Sequence, residues 1–437
     1  MVLKKNPFAL LASLAVESVH RRLIAWFRKS RRDLPWRRTR DPYRIWVSEV
    51  MLQQTQVPTV LPYYERFLKR FPTVGALARA PQEAVLKVWQ GLGYYRRAQN
   101  LQAAARAVVR DHGGRVPDDP AAFARLPGVG RYTCGAVQSI AFGRRLAALD
   151  GNAVRVIARW FATTDSVDRS AVRAGLWDLA ETLVPGSLSG VARPRGCSRD
   201  RAFQPSSPKG GLDAPRMHGH GKGAVAVPPG FANPSGDWNQ AIMELGSRLC
   251  TPRSPQCTAC PVRRHCRAAA KGIQDRVPVR RKRRPIPHIE VGAGVVWRRG
   301  RVLLCTRRAD AMLGGLWEFP GGKRRRGETL PACIRRELKE ECGLAVTVGR
   351  HLVDVTHAYT HLRVTLRCYH CRAGRGRVRL LGCDDARWVL PRDIPKYPLP
   401  AADVRILEAL SQVQGPKSKA RRDGAAEVRR TSRRLGP

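Results

Sequence analysis

Two acidic residues occupy positions where a carboxylate can take part in chemistry. Glu49 lies in the run WVSEVMLQQTQV, among apolar residues that would build the core of a helix. Burial disfavours the charged form and raises the pKa of such a carboxyl, as suits a general acid. A surface glutamate on an amphipathic helix is the alternative. Asp150 precedes the amphipathic run 154–157, so its carboxylate would stand at a helix start.

A glycine-rich turn lies between these two carboxylates in the sequence. In the run LPGVG, Gly128 and Gly130 predict a tight turn between two helices, because glycine combines φ > 0 with a bare backbone that a phosphate can approach. The helix that follows, residues 132–142, places the turn amides at a helix N-terminus, where dipole and donors favour an anion. The turn therefore predicts a contact with a DNA phosphate. An ordinary connection between helices is the alternative.

The charge of the chain favours a polyanionic partner. Its 437 residues suffice for two or three domains, and 80 Lys and Arg against 34 Asp and Glu give a net charge of +46. Nucleic acid is the partner that such a surplus predicts. A genome rich in G and C is the alternative source of the bias, since arginine outnumbers lysine.

Four of the 12 cysteines crowd into residues 250–266. This grouping indicates a metal site in a reducing compartment rather than a disulfide framework. Four thiolates at the spacing C-x6-C-x2-C-x5-C can wrap one centre, and both zinc and an iron–sulfur cluster accept four sulfurs. The ligands would be Cys250, Cys257, Cys260 and Cys266.

Composition also divides the chain. Residues 8–30 and 43–57 predict helices, and the first of these is favoured over a signal peptide. No run reaches transmembrane length, so we expect no membrane association and a cytoplasmic location at the bacterial nucleoid.

Residues 186–236 lack periodicity and predict a disordered insertion, whether a natural insert or a misread stretch of gene. A basic linker follows at 276–288, and a disordered basic tail is predicted at 413–437.

A second domain is predicted from residue 289. Strand-like runs at 291–297 and 302–305 precede a helical run at 330–341. From Gly322 the sequence fits G-x5-E-x7-R-E-U-x-E-E-x-G-U, where U is aliphatic. Glu337, Glu340 and Glu341 would share one helix face, an expensive arrangement without a divalent cation. The segment resembles the Nudix box, which binds magnesium beside a diphosphate; a charged, solvated helix is the alternative.

The helical part resembles the adenine DNA glycosylases of the helix-hairpin-helix family. Trp36 and residues 42–57 match that family nearly letter for letter, and the glycine turn, Asp150 and the cysteine spacing follow in family order. The resemblance implies a mainly α helix-hairpin-helix DNA glycosylase fold with two helical lobes and an iron–sulfur loop. A C-terminal α/β Nudix-like domain would follow it. The implied domains are residues 8–275 and 289–412.

The same resemblance assigns roles to residues. Glu49 would protonate the adenine, Asp150 would stabilise the sugar cation, and Tyr132 and Asn152 would orient the sugar and water. Gln54 and Tyr94 would enter the base stack, and one four-iron four-sulfur cluster would sit on the four cysteines. The implied substrate contacts are Arg32, Trp36, Leu52 and Gln240 at the adenine, Gly128 and Gly130 at the backbone, and Tyr359, Thr360 and His361 at the oxidised guanine.

The implied activity is hydrolytic removal of adenine paired with 8-oxoguanine or guanine in double-stranded DNA, by a monomer. Tyr132 stands where strand-cutting relatives have a lysine that forms a Schiff base, so we expect base removal without efficient strand cleavage. The Nudix box is intact here, although this family commonly carries an eroded one. Two other functions stay open, namely a nucleotide pyrophosphohydrolase tethered to DNA, with magnesium at the box, and a non-catalytic DNA-binding protein.

Overall fold

The computed structural model describes residues 13–185, 233–281, 285–359 and 362–414. The chain falls into two compact units, residues 1–79 with 100–283, and residues 80–99 with 284–437. The sequence analysis assigned residues 80–99 to the first domain, whereas the structure packs them with the second. Within the described residues, none of the helices combines the length and apolar character needed to cross a membrane.

Helices dominate the chain up to residue 281. Asp41 caps α2 by accepting hydrogen bonds from the Tyr43 and Arg44 amides, with Pro42 at the first helical position. The helices are α1 (Ser13–Ser30), α2 (Pro42–Leu52), α3 (Val57–Arg70), α4 (Val74–Arg79), α5 (Gln82–Trp89), α6 (Arg96–His112), α7 (Pro120–Ala124), α8 (Arg131–Phe142), α9 (Gly151–Trp160), α10 (Ser170–Leu183), α11 (Pro234–Arg248) and α12 (Arg267–Ala270).

The second predicted helix is shorter than expected. Apolar periodicity suggested one helix over 43–57, but α2 ends at Leu52 and α3 begins at Val57. Gln54 has the left-handed φ of +57°, which a continuing helix does not allow. Pro58 in the first turn of α3 then favours a new start, because its missing N–H is not needed there.

Helix α9 lies at the centre of the helical unit. All its residues from 153 to 160 are buried, and it packs against α10, α11 and α12. Trp238 of α11 and Leu23 and Phe27 of α1 are fully buried in the same core. Beside it, a Cβ on Gly135 would lie 1.8 Å from the Ala147 carbonyl oxygen, so α8 approaches this backbone only because position 135 is glycine.

Residues 233–236 belong to the helical unit. The predicted insertion ran to residue 236, but α11 already begins at Pro234, with Asn233 as its cap. The Asn233 amide also donates to the carbonyl oxygens of Ser139 at 2.8 Å and Ile140 at 3.0 Å. Ser235 donates a 3.0 Å hydrogen bond to the Pro185 carbonyl oxygen, so the two ends of the segment 186–232 are adjacent. The rest of the predicted insertion lies outside the described residues.

The second unit contains a mixed seven-stranded sheet. Its main path runs β3-β2-β1-β6-β5, with β4 paired to β1 and β7 to β2, and only β1 and β6 are parallel in the described sheet. The strands are β1 (His288–Arg298), β2 (Arg301–Arg307), β3 (Trp317–Glu318), β4 (Gly321–Lys323), β5 (Val346–Ala358), β6 (Arg363–Ala373) and β7 (Cys383–Val389), and the helices are α13 (Leu330–Cys342) and α14 (Ala401–Gln414).

The sheet separates two apolar cores because side chains alternate along its strands. On β2, Leu304 joins the core beneath α14, whereas Leu303 and Cys305 join the core beneath α13. Helix α14 runs to Gln414, so the predicted tail at 413–437 starts too early, and its remainder lies outside the described residues. Residues 80–99 contact this domain where Lys87 donates to the Tyr397 carbonyl at 3.1 Å.

Candidate active site and metal centre

A cavity of about 1160 Å³ opens within the helical unit. Its walls come from α2, the turn before α8, the start of α9, and α11. Most of the predicted site residues of this unit line the cavity, although they lie far apart in the sequence. They are Arg32, Trp36, Glu49, Leu52, Gln54, Gly128, Gly130, Tyr132, Asp150, Asn152 and Gln240.

Glu49 is a buried acid in this cavity, with 5% of its surface exposed. The Tyr132 hydroxyl donates a 2.6 Å hydrogen bond to Oε2 of Glu49. Burial and, to a smaller extent, the charge of Asp150 raise the pKa of Glu49, whereas the hydrogen bond from Tyr132 lowers it, and the resulting pKa is about 7. Burial also raises the pKa of Tyr132 well above its usual value, so the phenol stays a donor. Glu49 can therefore be protonated near neutral pH.

Asp150 is the N-cap of α9, as its sequence position predicted. Its Oδ1 accepts a 2.7 Å hydrogen bond from the Ala153 amide, and its Oδ2 accepts one of 2.7 Å from the Asn152 side chain. Burial raises the pKa of Asp150, although these two hydrogen bonds favour the carboxylate. The helix start and Asn152 thus hold a negative charge at a fixed point of the cavity wall.

Arg155 supports this helix start and was missed in the sequence. Its Nη2 donates to Oδ1 of Asn152 at 2.8 Å and to the Gly246 carbonyl at 2.6 Å. A Cβ on Gly246 would lie 2.6 Å from that of Asn152, so glycine lets α11 approach α9 here. An arginine three residues after Asn152, in the otherwise apolar run 153–158, was the available signal.

Arg32 lines the cavity and also forms an ion pair with α11. Its guanidinium donates to both carboxylate oxygens of Glu244, at 2.9 and 2.7 Å, and Arg37 donates to Oε2 at 2.8 Å. These arginines hold the pKa of the buried Glu244 to about 2. Glu244 was also missed, although it follows Gln240 by one helical turn on the same face. The ion pair fixes Arg32 at the cavity wall, and its expected contact with the adenine stays a prediction.

Both glycines of the turn were predicted to have a left-handed backbone, but only one of them does. Gly128 has φ +74°, and a Cβ there would lie 2.6 Å from Cβ of Asn100. Both the left-handed backbone and the lack of space therefore require glycine at this position. Gly130 has φ −91° and caps α8 in an extended conformation, so the expectation of φ > 0 is wrong there. The space around Gly130 is open, which leaves its backbone accessible at the edge of the cavity.

Gln54 and Tyr94 both have left-handed backbones, with φ +57° and +50°. Such conformations are uncommon for residues other than glycine and cost free energy, on the order of 1–3 kcal/mol. Gln54 is exposed, and Tyr94 exposes 41% of its surface. The Arg97 guanidinium lies 5.3 Å from the Tyr94 ring centroid and 5.5 Å from that of Trp89. Each predicted wedge thus sits on a strained turn.

The four cysteines of residues 250–266 surround a small pocket together with Arg159. Arg159 is buried and donates to Sγ of Cys250 at 3.2 Å and to the Thr251 carbonyl at 2.8 Å. A single zinc ion with bonds of about 2.3 Å would need sulfurs about 3.8 Å apart. No three of these four sulfurs lie within 4.8 Å of one another among the described residues. The four sulfurs are thus farther apart than a single zinc ion would hold them.

Arg336 organises the acidic face of α13. It donates to Glu328 at 2.8 and 2.9 Å, to Glu337 at 2.8 Å and to Glu340 at 3.0 Å. A divalent cation was expected to offset these carboxylates, and Arg336 already supplies positive charge to two of them, Glu337 and Glu340. Glu341 lies apart, where burial, Glu318 and Glu337 raise its pKa to about 8. Arg336 stands one residue before Glu337, so the signal was present.

Tyr359 lies at the end of β5, where its amide donates to the Leu362 carbonyl at 2.8 Å. Its ring meets that of His357 edge-on, with centroids 4.6 Å apart, and burial raises the pKa of its phenol to about 12. The other two predicted guanine contacts, Thr360 and His361, lie outside the described residues.

Family models match both parts of the chain. Residues 47–182 match the HhH-GPD superfamily of base excision DNA repair proteins, and residues 292–409 match the NUDIX domain. The adenine DNA glycosylase of Rattus norvegicus is 34% identical over 420 residues, which are 83% of this chain and 72% of the rat protein. This chain belongs to the adenine DNA glycosylase family.

A second adenine DNA glycosylase and a solved structure are also similar to the chain. The adenine DNA glycosylase of Homo sapiens is 33% identical over 404 residues, which cover 79% of this chain and 65% of the human protein. A thermostable thymine-DNA glycosylase structure is 30% identical, covers 60% of this chain and 99% of its own, and superposes with a TM-score of 0.45. The family predicted from the sequence is confirmed, and the chain is a DNA N-glycosylase of base excision repair with a C-terminal NUDIX domain.

Proposed function

We propose that this glycosylase removes adenine paired with 8-oxoguanine or guanine in double-stranded DNA, acting as a monomer. One observation carries the proposal, namely that a protonatable Glu49 and a capped Asp150 face the same cavity. Two carboxylates with different environments are what acid-assisted cleavage of a glycosidic bond requires. The names of the relatives supply the base, adenine.

The roles of the two acids follow from their surroundings. Protonated Glu49 donates its proton to the adenine ring and so makes the base a better leaving group. Asp150 stabilises the cationic sugar that remains, by charge or by a transient covalent bond. Asn152 holds Asp150 in place, and Tyr132 hydrogen-bonds Glu49. Tyr132 and Asn152 would also orient the sugar and the water. Water then completes the hydrolysis.

The base must leave the duplex to reach this cavity. Gln54 and Tyr94 are proposed to fill the space that the base vacates, since strained, exposed turns persist chiefly where they serve a function. Backbone amides at the Gly128 turn would hold a phosphate at the start of α8. Tyr359, Thr360 and His361 would contact the oxidised guanine, which gives the preference for 8-oxoguanine over guanine.

A four-iron four-sulfur cluster is proposed for Cys250, Cys257, Cys260 and Cys266. The wide spacing of their sulfurs and the pocket among them support it over a single ion. Such a cluster, when bound, ties the loop together and supplies no step of the base removal. Arg159 connects the loop to α9 through Cys250, so the loop and the helix of Asp150 are joined in one rigid piece.

Single-turnover excision from an 8-oxoguanine·adenine duplex tests the proposal. The expected result is adenine release without strand cleavage and without a need for magnesium. Glu49→Gln and Asp150→Asn should each slow release at least about a hundredfold while duplex binding persists, because neither change removes a phosphate contact. Glu65→Gln, which alters an exposed glutamate, is the control. Activity of either cavity variant within tenfold of wild type would contradict the assigned roles.

A second test concerns the oxidised guanine. Thr360→Ala and His361→Ala should slow excision opposite 8-oxoguanine more than excision opposite guanine. Equal slowing on both duplexes would show that this loop has no sensing role. Point variants serve better than removal of the C-terminal domain, because residues 80–99, which carry Tyr94, pack with that domain.

Nucleotide pyrophosphohydrolysis with Mg²⁺ is a second candidate activity, for the NUDIX domain. The observation that favours it is a group of buried acids with raised pKa values, Glu318, Glu341 and Asp403, close to the intact box. Arg307 pairs with Glu318 at 2.5 Å, which leaves Glu341 without such a short pairing among the described residues. A bound divalent cation would offset the negative charge of these carboxylates when they ionise. Release of pyrophosphate or phosphate from free nucleotides, abolished by EDTA, is the test.

A further inference from the structure

Three cysteines outside the 250–266 loop converge inside the NUDIX domain. The Sγ atoms of Cys305, Cys342 and Cys383 all lie within 4.8 Å of one another, and those of Cys305 and Cys342 are 3.4 Å apart. Three thiolates bonded to one cation at about 2.3 Å stand about 3.8–4.0 Å apart. The cluster therefore already has nearly the spacing that a single thiophilic ion requires.

The three positions come from separate elements that the backbone fastens together. Cys305 lies on β2, Cys342 ends α13, and Cys383 begins β7. The amides of Leu381 and Gly382 donate to the Glu341 carbonyl at 3.0 and 3.1 Å. A Cβ on Gly382 would lie 3.0 Å from Cγ of Glu341, so glycine brings this loop tightly against the end of α13. Cys383 is thereby held against Cys342 before any ion binds.

Ordinary core packing does not require this convergence. Cys333, Cys368 and Cys371 are equally buried in the same domain, yet none belongs to a group of three close metal-ligating atoms among the described residues. A lone buried thiol packs as a small apolar group. Three thiols gathered from a strand, a helix end and a second strand form a donor set instead, and soft sulfur donors select zinc-type or copper(I)-type cations.

Charge and access favour a divalent ion. Three thiolates and one divalent cation carry a net charge of only −1. A monovalent ion would leave two negative charges in an apolar core. Cys383 exposes 9% of its surface, whereas Cys305 exposes 2% and Cys342 none, so a water could reach a fourth position from the side of Cys383.

We propose that Cys305, Cys342 and Cys383 form a binding site for one zinc-type cation, with a water as the fourth ligand. The site is separate from the cysteine loop of the helical unit, and it does not rest on the proposed glycosylase activity. It would tie the end of α13, which carries the Nudix box, to both strands of the β2–β7 pair.

Elemental analysis of the reduced full-length protein, loaded with Zn²⁺ and desalted without oxygen, tests the site. We expect one zinc per chain in addition to iron, and a loss of that zinc in Cys383→Ser and Cys305→Ser with the iron unchanged. Cys368→Ser, at an equally buried cysteine outside the cluster, should keep its zinc. Wild-type protein without zinc would overturn the proposal, as would zinc that persists in Cys383→Ser or disappears with iron in Cys260→Ser.

Alkylation provides a readout that does not depend on variant folding. In wild-type protein, Zn²⁺ should slow the modification of Cys383 at least about tenfold, because a metal-bound thiolate is not free to react. Modification at an equal rate with and without Zn²⁺ would overturn the site. A disulfide between Cys305 and Cys342 that persists after treatment with a reductant, found by peptide mass, would overturn it as well.

Discussion

The Tyr132 hydroxyl lies 2.6 Å from Oε2 of Glu49 and donates a hydrogen bond to it. This bond joins α8 to α2 across the cavity. Because the phenol stays protonated, it favours the ionised form of Glu49 and counters the effect of burial, so that the pKa is about 7. The acid can therefore give up its proton readily while still carrying one at neutral pH.

The pH dependence of excision should reflect this pair. Excision needs protonated Glu49, so its rate should fall as pH rises through about 7. Tyr132→Phe removes a hydrogen bond that lowers the pKa, so the falling limb should move to higher pH, by on the order of one unit. Single-turnover rates between pH 5.5 and 9 measure the limb. A limb that stays in place or moves to lower pH would contradict this link between the two residues.

Glu49 should also cost the protein stability at alkaline pH. Its pKa rises on folding from 4.5 to about 7, so the folded protein holds the proton more tightly, and the penalty appears as pH rises through this window. The full penalty, above the folded pKa, is about 3 kcal/mol at most. Glu49→Gln should therefore unfold at a higher temperature than wild type at pH 8.5, with no difference near pH 4.5.

Thermal unfolding at the two pH values measures this effect, with Glu65→Gln as an exposed control. Equal melting temperatures of Glu49→Gln and wild type at pH 8.5 would mean that burial does not raise the pKa of Glu49 on folding. The variant should gain stability while it loses excision, which is the usual relation between a buried catalytic acid and the fold.

Residues whose roles depend on local sequence were predictable. Asp150 caps α9 because a short acidic side chain before an amphipathic run bonds the amides that follow. Arg155 and Glu244 were missed because their partners lie far away in the sequence, at Gly246 for one and at Arg32 for the other. The apolar periodicity also predicted a helix that continues past Leu52, because periodicity does not reveal a residue with a left-handed backbone such as Gln54.

The pairing of the acidic residues on α13 could not be predicted, for a different reason. Spacing placed Glu337, Glu340 and Glu341 on one face, but it did not show that Arg336 reaches back to two of them. Side-chain direction, not position along the helix, decided which carboxylates pair. The sheet domain itself was expected, and its strands proved longer than their apolar runs because exposed residues extend each pairing.

Tyr132→Lys should give the enzyme a new covalent reaction. Position 132 lines the cavity with Asp150, so an amine there could attack the sugar carbon and form an imine. Borohydride should then trap an enzyme–DNA adduct in the variant and not in wild type. Tyr132→Phe is the control, since it changes the ring without adding an amine. A folded lysine variant that gives no adduct would show that this position does not face the sugar.

Two deletions test whether the segment 186–232 can be removed without harm while the start of α11 cannot. Removal of residues 188–231 should leave excision intact, because Pro185 and Ser235 already stand in contact and a short link can join them. Removal of residues 187–235 should instead destabilise the protein, since Asn233, the helix cap, is lost, a change that typically costs about 1 kcal/mol.

Excision rates and melting temperatures of the two deletion proteins make the comparison. The longer deletion follows the predicted insertion, residues 186–236, and the shorter one stops before the Asn233 cap. Equal behaviour of the two proteins would mean that the Asn233 cap does not matter. Loss of excision in the shorter deletion would assign a function to the removed segment.

Glu341→Gln should separate the two candidate activities. Glu341 has a pKa of about 8, so Mg²⁺ binding at the box should strengthen as pH rises toward that value and the carboxylate ionises. The variant should lose magnesium-dependent nucleotide hydrolysis and keep adenine excision. Glu408→Gln, at an exposed glutamate of α14, is the control. Joint loss of both activities would place Glu341 in the fold rather than in the chemistry.

The contact between Ser235 and Pro185 means that the helical unit is assembled from two sequence pieces with neighbouring ends. Helix α11 packs on α1, α8 and α9, and its Asp237 and Asn239 bond Arg28 and the Leu146 carbonyl in the first piece. Protease cleavage anywhere in 186–232 would thus yield two fragments that stay associated. Two separately expressed polypeptides, split there, should reassemble into a working glycosylase, and the same position offers a site for inserting a foreign domain.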